Sequence, residues 1–239
     1  MSSSSIANDP GYAVRRDRIE TYFDRTAAET WSRLTSDVAV SGIRATVRAG
    51  RDRMRAGILS WLPQDMRGLR LFDAGCGTGA LAIAAAERGA DVVAIDLSPT
   101  LVAIARERAA AVGVDGRIDF RSGDMLAGDT GRFDHVVSMD VLIHYRAPDM
   151  VAMVSALAGK ASRSLIFTFA PRTPALTAMH AVGRLFPRAD RAPAIEPLGG
   201  KRLSQMLSRE PGLAGWVEGR SAKVVSGFYM SNAKELVPA

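Results

Sequence analysis

The spacing of apolar positions changes at about residue 63 and divides the chain. From Gly11 to about Leu62 the spacing is helical. Ile19, Tyr22, Phe23 and Thr26 share one face, and Val47, Met54, Ile58 and Trp61 make a second stripe. Between the stripes, Glu29–Leu34 carries Trp31 and Arg33 on a short helix or its exit, and Pro63 stops the second long helix. Short, near-continuous apolar runs follow, alternating with helical patterns. Strands are predicted at Leu69–Ala74, Asp91–Ile95, Arg117–Ser122, Phe133–Met139 and Ser164–Ala170, and helices at Ala80–Arg88, Ser98–Val112 and Pro148–Ala158. The second of these helices should turn Leu101, Ile104, Ala105 and Val112 inward. Pro171–Gly200 breaks the rhythm with five prolines around an apolar stretch, Leu176–Phe186. A helix at Lys201–Ser208 and an antiparallel pair near Trp216–Ala222 and Phe228–Ala233 complete the chain. Apolar strands at this rhythm belong to a mostly parallel sheet covered on both faces. The predicted fold is α/β: a doubly wound, mostly parallel seven-stranded sheet in a domain over 63–239, with an N-terminal helical arm (11–62) and an insertion after strand five (about 171–200). The Ser-rich start, residues 1–10, is expected to be disordered.

The first strand runs directly into Asp73-Ala74-Gly75-Cys76-Gly77-Thr78-Gly79, and the second strand ends on Asp96. Alternating glycines let the backbone turn sharply and let a ligand lie against it. An acid at the tip of the next strand can accept both hydroxyls of a ribose. The spacing is G-x-G-x-G rather than the dinucleotide fingerprint G-x-G-x-x-G, which suits a ligand without a pyrophosphate. Strand, acid, glycines, helix, strand and acid in this register resemble the first motif of the Rossmann-like S-adenosylmethionine methyltransferases. In a doubly wound sheet the loops after strands one to four converge on one cleft at the carboxyl edge. The resemblance implies that Asp73, Gly75 and Gly77 meet the amino-acid end of the cofactor and Asp96 its ribose. Leu97 and Met125 then flank the adenine, Asp124 meets its amino group, and Met139 lies at the edge facing the methyl. From the residues alone, Asp96 can also be read as a helix N-terminal acid and Asp124 as a plain turn acid.

Composition narrows the setting. No apolar run reaches the ~18–20 residues needed to cross a bilayer, and Met1–Ser5 lacks the pattern of a secretory signal, which makes the cytoplasm the default. The single cysteine, Cys76, forms no internal disulfide and reads as a small filler in the glycine loop. The net charge of +6 is uneven: residues 61–159 carry 9 basic and 13 acidic side chains, whereas residues 160–239 carry 12 and 5. Basic flanks suit an anionic substrate, an acidic partner or an anionic membrane surface, or are ordinary solvated arginines. The arginines are scattered and aromatics make up 6% of the chain, which disfavours nucleic acid. No paired Cys/His metal spacing is present.

Strand four leads into Asp140-Val141-Leu142-Ile143-His144-Tyr145, at the edge that faces the methyl donor. That place singles out His144 from His135, mid-strand, and His180, in the insertion. Tyr22, Trp31 and Arg33 read from spacing alone as a core aromatic, a packed indole and a solvated charge. Taken with Tyr22-Phe23-Asp24, Trp31-Ser32-Arg33-Leu34 and the glycine motif, however, the His144 stretch resembles the magnesium-protoporphyrin O-methyltransferases of (bacterio)chlorophyll synthesis. The likeness covers nearly the whole chain after the Ser-rich start. Asp24 departs from the amide or small polar residue expected in some relatives. The resemblance implies S-adenosylmethionine as cofactor, S-adenosylhomocysteine as product, and magnesium only as part of a porphyrin substrate. It places catalytic roles on Tyr22 and His144, and sets Trp31 and Arg33 near the cofactor. It implies an arm that closes as a lid, with Met179, Val182, Leu185 and Phe186 as a wall for the macrocycle. The implied partners are the porphyrin and the large porphyrin-binding subunit of magnesium chelatase, with peripheral attachment at the inner or photosynthetic membrane and no nucleic acid. Two other readings share the same loops: a methyltransferase for a quinone or another acid, and a cofactor-binding subunit without turnover. Against a nucleic-acid methyltransferase stands Asp140-Val141-Leu142-Ile143, where an Asn/Asp-Pro-Pro-Tyr/Phe motif is needed.

Overall fold

Strand β1 (Arg70–Ala74) is apolar on both faces and lies at the centre of the sheet, parallel to β2 (Asp91–Asp96) on one side and β4 (Phe133–Ser138) on the other. This computed structural model describes residues 9–26, 42–172 and 194–239. β3 (Ile118–Ser122), β5 (Ala161–Phe169), β6 (Trp216–Ser226) and β7 (Tyr229–Pro238) complete seven strands in the order β3-β2-β1-β4-β5-β7-β6. β7 runs antiparallel between β5 and β6, so the sheet is mostly parallel with a terminal hairpin. The strand order reverses between β1 and β4, and the cleft opens at that switch point.

Successive strand residues face opposite sides, so each strand feeds two cores. Leu71, Ala94 and Val137 join one cluster with Met54, Ile58 and Ala85. Phe72, Val93 and Val136 join the other with Met150, Leu157 and Leu203. Helix α1 (Pro10–Thr21), α5 (Ala147–Ala158) and α6 (Gly200–Leu207) serve the second cluster; α2 (Gly42–Trp61), α3 (Ala80–Glu87) and α4 (Pro99–Ala111) serve the first. Local sequence starts these helices. Asp9 and Ser98 accept hydrogen bonds from Tyr12 N–H and Leu101 N–H at their N-termini, each just ahead of a proline in the first turn. On α4, Val112 is 53% exposed rather than inward. It falls at the C-cap, and Val102 and Ala109 take the interior.

The predicted arm is two different things. α2 packs on α3, β6 and β7, burying Met54, Ile58 and Leu59, and is part of the sheet's cover. α1 lies across the cleft, followed by a π-helical turn at Tyr22–Thr26. The last two strands are also longer than the sequence indicates, and the added part of β7 carries Lys234 and Glu235, buried and paired with Glu218 and Arg220 of β6.

Candidate active site

The three glycines after β1 have φ of 91°, 52° and 79° at Gly75, Gly77 and Gly79, a region that L side chains rarely adopt. A Cβ on Gly75 would come within 2.1 Å of Val141 Cγ2, so the loop after β4 sits directly on the glycine loop. Gly75 and Cys76 donate their N–H groups to the Ile95 carbonyl at 2.8 and 3.0 Å. Gly77 N–H reaches Asp96 Oδ2 at 2.8 Å, and Ser98 N–H reaches Asp96 Oδ1 at 3.0 Å. The glycine loop is therefore tied to the end of β2 on both its main chain and its acid. Each Asp96 oxygen keeps a second acceptor position. Burial raises the Asp96 pKa, and these backbone donors oppose it.

Asp73 is buried, and its Oδ2 has no hydrogen-bond partner. Burial and the nearby Asp96 push its pKa up to about 7, opposed by the Ala82 N–H. An orphaned carboxylate oxygen on the wall of a cleft is fitted by a cationic group. The cleft opens to solvent and is lined by the glycine loop, the end of β2 and the turn after β4. Cys76 also lines it, and burial raises its thiol pKa, which disfavours the thiolate form.

α1 covers the cleft through specific bonds. Tyr12, 1% exposed, donates its hydroxyl to Asp124 Oδ1 at 2.9 Å and stacks on Tyr145 with ring centroids 5.6 Å apart. Arg16 lies 3.5 Å from Asp124 Oδ2. Arg15 bonds the His144 carbonyl and Glu196 at 3.0 and 3.1 Å. Asp24, the departure noted in the sequence, accepts from Ser98 Oγ and Thr100 N–H at the start of α4. Asp124, expected at the adenine, lines the cleft and is also the anchor of α1.

His144 ends a 3₁₀ turn, Leu142–His144, and is 9% exposed, with Nδ1 3.4 Å from the Ala194 carbonyl. It lines the same cleft as Asp73, Gly75, Gly77, Asp96, Leu97, Asp124, Met125 and Met139. Tyr22 is not among the described residues of that lining. Phe23 is: its ring stands edge-on to His144 at 5.9 Å, and Tyr22 stands behind it at 5.1 Å from Phe23. The π-helical turn Tyr22–Thr26 carries both aromatics, with Phe23 against the imidazole and Tyr22 behind it. Trp31, Arg33, Met179, His180, Val182, Leu185 and Phe186 lie outside the described residues.

Three further groups, Tyr12, Arg51 and Arg55, reach the cleft without a sign in the sequence analysis. Tyr12 sits seven residues before Ile19 on one helical face, a spacing that extends the stripe and could have revealed it. Arg51 and Arg55, at i and i+4, look like a solvated face. Asp140 also lines the cleft; its place after strand four was evident, but not its partners, which lie far along the chain.

Comparison with known proteins follows the same lines. Residues 71–160 match a methyltransferase domain, and residues 138–238 match the family model described as magnesium-protoporphyrin IX methyltransferase C-terminus. The chain is 45% identical over 228 residues to a magnesium-protoporphyrin O-methyltransferase of Rhodobacter capsulatus, covering 95% of this chain and 98% of that one. It is 37% identical over 171 residues to the enzyme of the same name from Synechocystis, covering 71% and 74%. The crystal structure of magnesium protoporphyrin IX methyltransferase from Synechocystis with bound S-adenosylhomocysteine superposes with a TM-score of 0.81 at 32% identity, covering 93% of this chain and 99% of that one. A relative 45% identical and matched over nearly its whole length, with the family model over residues 138–238, shows that the chain belongs to the magnesium-protoporphyrin O-methyltransferases, which depend on S-adenosylmethionine.

Proposed function

We propose that this chain esterifies one propionate carboxylate of Mg-protoporphyrin IX, giving the monomethyl ester and S-adenosylhomocysteine. One observation carries the reading: a single cleft holds the glycine-loop residues and His144 on the turn after β4. S-adenosylmethionine, when bound, would supply an electrophilic sulfonium methyl: the ionised carboxylate oxygen takes that methyl, and the sulfur leaves with the bonding pair as a thioether. In our assignment Asp73 faces the cofactor's ammonium and Asp96 its ribose, with Leu97 and Met125 on its flat base. The porphyrin carboxylate needs no base at neutral pH, because a carboxylic acid of pKa about 4–5 is already ionised. What the chain must supply is orientation and dryness, placing one oxygen in line at about 3–3.5 Å. His144 orients the carboxylate without quenching it as a neutral Nε2–H donor, in the tautomer that gives up the 3.4 Å contact of Nδ1 with the Ala194 carbonyl. Tyr22 joins it only if the Tyr22–Thr26 turn shifts by one residue and exchanges Phe23 for Tyr22 at the imidazole. α1 shuts out water from above.

The test is incubation with S-adenosylmethionine and Mg-protoporphyrin, with the ester read by chromatography. We expect His144→Ala to lower turnover strongly with cofactor affinity and melting temperature nearly intact, and His144→Gln to keep part of the rate. Full activity in the alanine variant removes His144 from the site. The same reading places the chain in the cytoplasm at the surface of the inner or photosynthetic membrane, receiving substrate from the porphyrin-binding subunit of magnesium chelatase. Its support is the basic balance of residues 160–239. No helix among the described residues is long and apolar enough to cross a membrane.

A further inference from the structure

Asp140, immediately after Met139, is the one non-glycine with positive φ (59°) among the described residues. The left-handed step ends the line of β4 and sends the chain into the 3₁₀ turn that finishes at His144. Such a conformation persists only where neighbours over-determine it. Asp140 N–H donates to Thr168 Oγ1 on β5 at 2.7 Å. The carboxylate, whose side chain is 5% exposed, accepts the Tyr229 hydroxyl at 3.0 Å and lies 3.5 Å from Arg51 Nη1 of α2. The hydroxyls of Thr168 and Ser231 stand at 3.4 and 3.5 Å. Tyr229 opens β7, and its ring is seated on Gly50 of α2, where a Cβ would come within 2.5 Å of it. On the other side Val141 rests on Gly75. Three elements distant in sequence therefore clamp the step from which the His144 turn departs. Asp140, Arg51 and His144 line one cleft, and the nearby guanidinium offsets a charge that would otherwise repel an anionic acceptor.

We propose that Tyr229 and Asp140 are positioning residues for methyl transfer: their phenol–carboxylate bond fixes the backbone step that aims His144 into the cleft. This rests on the role given to His144 above, and it makes the C-terminal hairpin a working part of the active site.

Tyr229→Phe keeps the ring on Gly50 and removes only the hydroxyl. With S-adenosylmethionine and Mg-protoporphyrin, its kcat should fall about tenfold or more, while KM for S-adenosylmethionine stays within about twofold. Asp140→Asn, which still accepts a bond, should recover part of the loss seen in Asp140→Ala. In a His144→Ala background, Tyr229→Phe should cost less than about twofold, because a residue acting through His144 has nothing left to act on. The chain holds three histidines, so isotope-labelled imidazoles give three ring signals, with that of His144 assigned by its loss in His144→Ala. Tyr229→Phe should move that signal, a readout independent of turnover. An unmoved His144 signal, or an equal loss of kcat in both backgrounds, overturns the proposal. If Tyr229→Phe does not fold, Asp140→Asn carries the same two readouts. A wild-type protein inactive on Mg-protoporphyrin overturns the functional reading instead, and the ring signal still decides this one.

Discussion

Asp73 and Asp96 end neighbouring strands, yet the structure gives them different chemistry. Asp96 is met by two backbone N–H groups, whereas one Asp73 oxygen is buried without a partner and the acid is raised to about 7. At pH 6 Asp73 is therefore mostly protonated. A ligand ammonium set against it would return its pKa toward the ordinary value of about 4, so binding should expel a proton. Calorimetry of S-adenosylhomocysteine binding at pH 6, in buffers of different ionisation heat, should show about one proton released. The release should fade at pH 8, where Asp73 is already ionised, and vanish in Asp73→Asn. Release that persists in that variant would show that Asp73 does not face the ammonium. Asp96→Ala should cost about 1.5–3 kcal/mol of cofactor affinity through the lost charge-assisted bond to ribose. Because Asp96 is one cause of the raised Asp73 pKa, the same variant should also move the proton release to lower pH. Unchanged affinity would discard the ribose assignment.

Among the elements, the N-terminal segment separates into a cover and a foundation. α1 combines polar bonds at Asp124, His144 and Glu196 with two buried side chains, Tyr12 and Ile19, whereas α2 is seated on the sheet through Met54, Ile58 and Leu59. Deleting residues 1–35 should leave a folded protein that keeps part of its cofactor binding and has almost no methyl transfer. Ile58→Ala, by contrast, should destabilise the whole domain by about 2–5 kcal/mol. A truncation that fails to fold would make α1 structural, and hydrogen exchange of α1 with and without S-adenosylhomocysteine would show whether it is a gate. This division was not legible in the sequence, since both helices carry an apolar stripe and the stripes do not say what they face. The parallel strands and the glycine loop were legible because their signals are local: apolar runs of strand length, and Gly and Asp at fixed offsets. The π-helical turn was not, because the apolar spacing puts Tyr22 and Phe23 on one face and does not say which ring meets His144. β7 runs past the expected end near Ala233 through Lys234 and Glu235, charges that carry no local strand signal. Both are buried, paired with Glu218 and Arg220 across the hairpin. Asp140 was visible as a residue and opaque as a device, because Tyr229 is 89 positions away.

Across the whole molecule, the two ends of the sheet respond to pH in opposite senses. At the cleft end, burial raises Asp73 and Asp96, so folding is favoured while they are neutral. That contribution is present below the unfolded value of about 4 and is lost as pH rises through about 7 for Asp73. Away from the cleft, His135 on β4 bonds Ser164 Oγ at 2.8 Å through Nδ1, while its Nε2 is buried without a partner. Burial lowers its pKa, with Asp134 and Glu235 opposing and Arg163 and Arg220 reinforcing. A depressed histidine pKa gives stability that is fully present above the unfolded value of about 6.5 and is lost as pH falls through the folded one. Glu235 works in the same direction lower down: burial would raise it, but the Arg220 hydrogen bonds outweigh burial and lower it. The wild-type melting curve alone mixes these opposing terms, and a difference between two proteins isolates one. His135→Gln keeps a polar side chain opposite Ser164 and cannot take up a proton. As pH falls from 7.5 to 5, the melting temperature of His135→Gln should rise relative to that of the wild type, with the change beginning near 6.5. The cleft carboxylates are common to both proteins and cancel. Parallel curves across that range would mean that His135 is protonated without penalty, and that its buried Nε2 finds a partner when it charges.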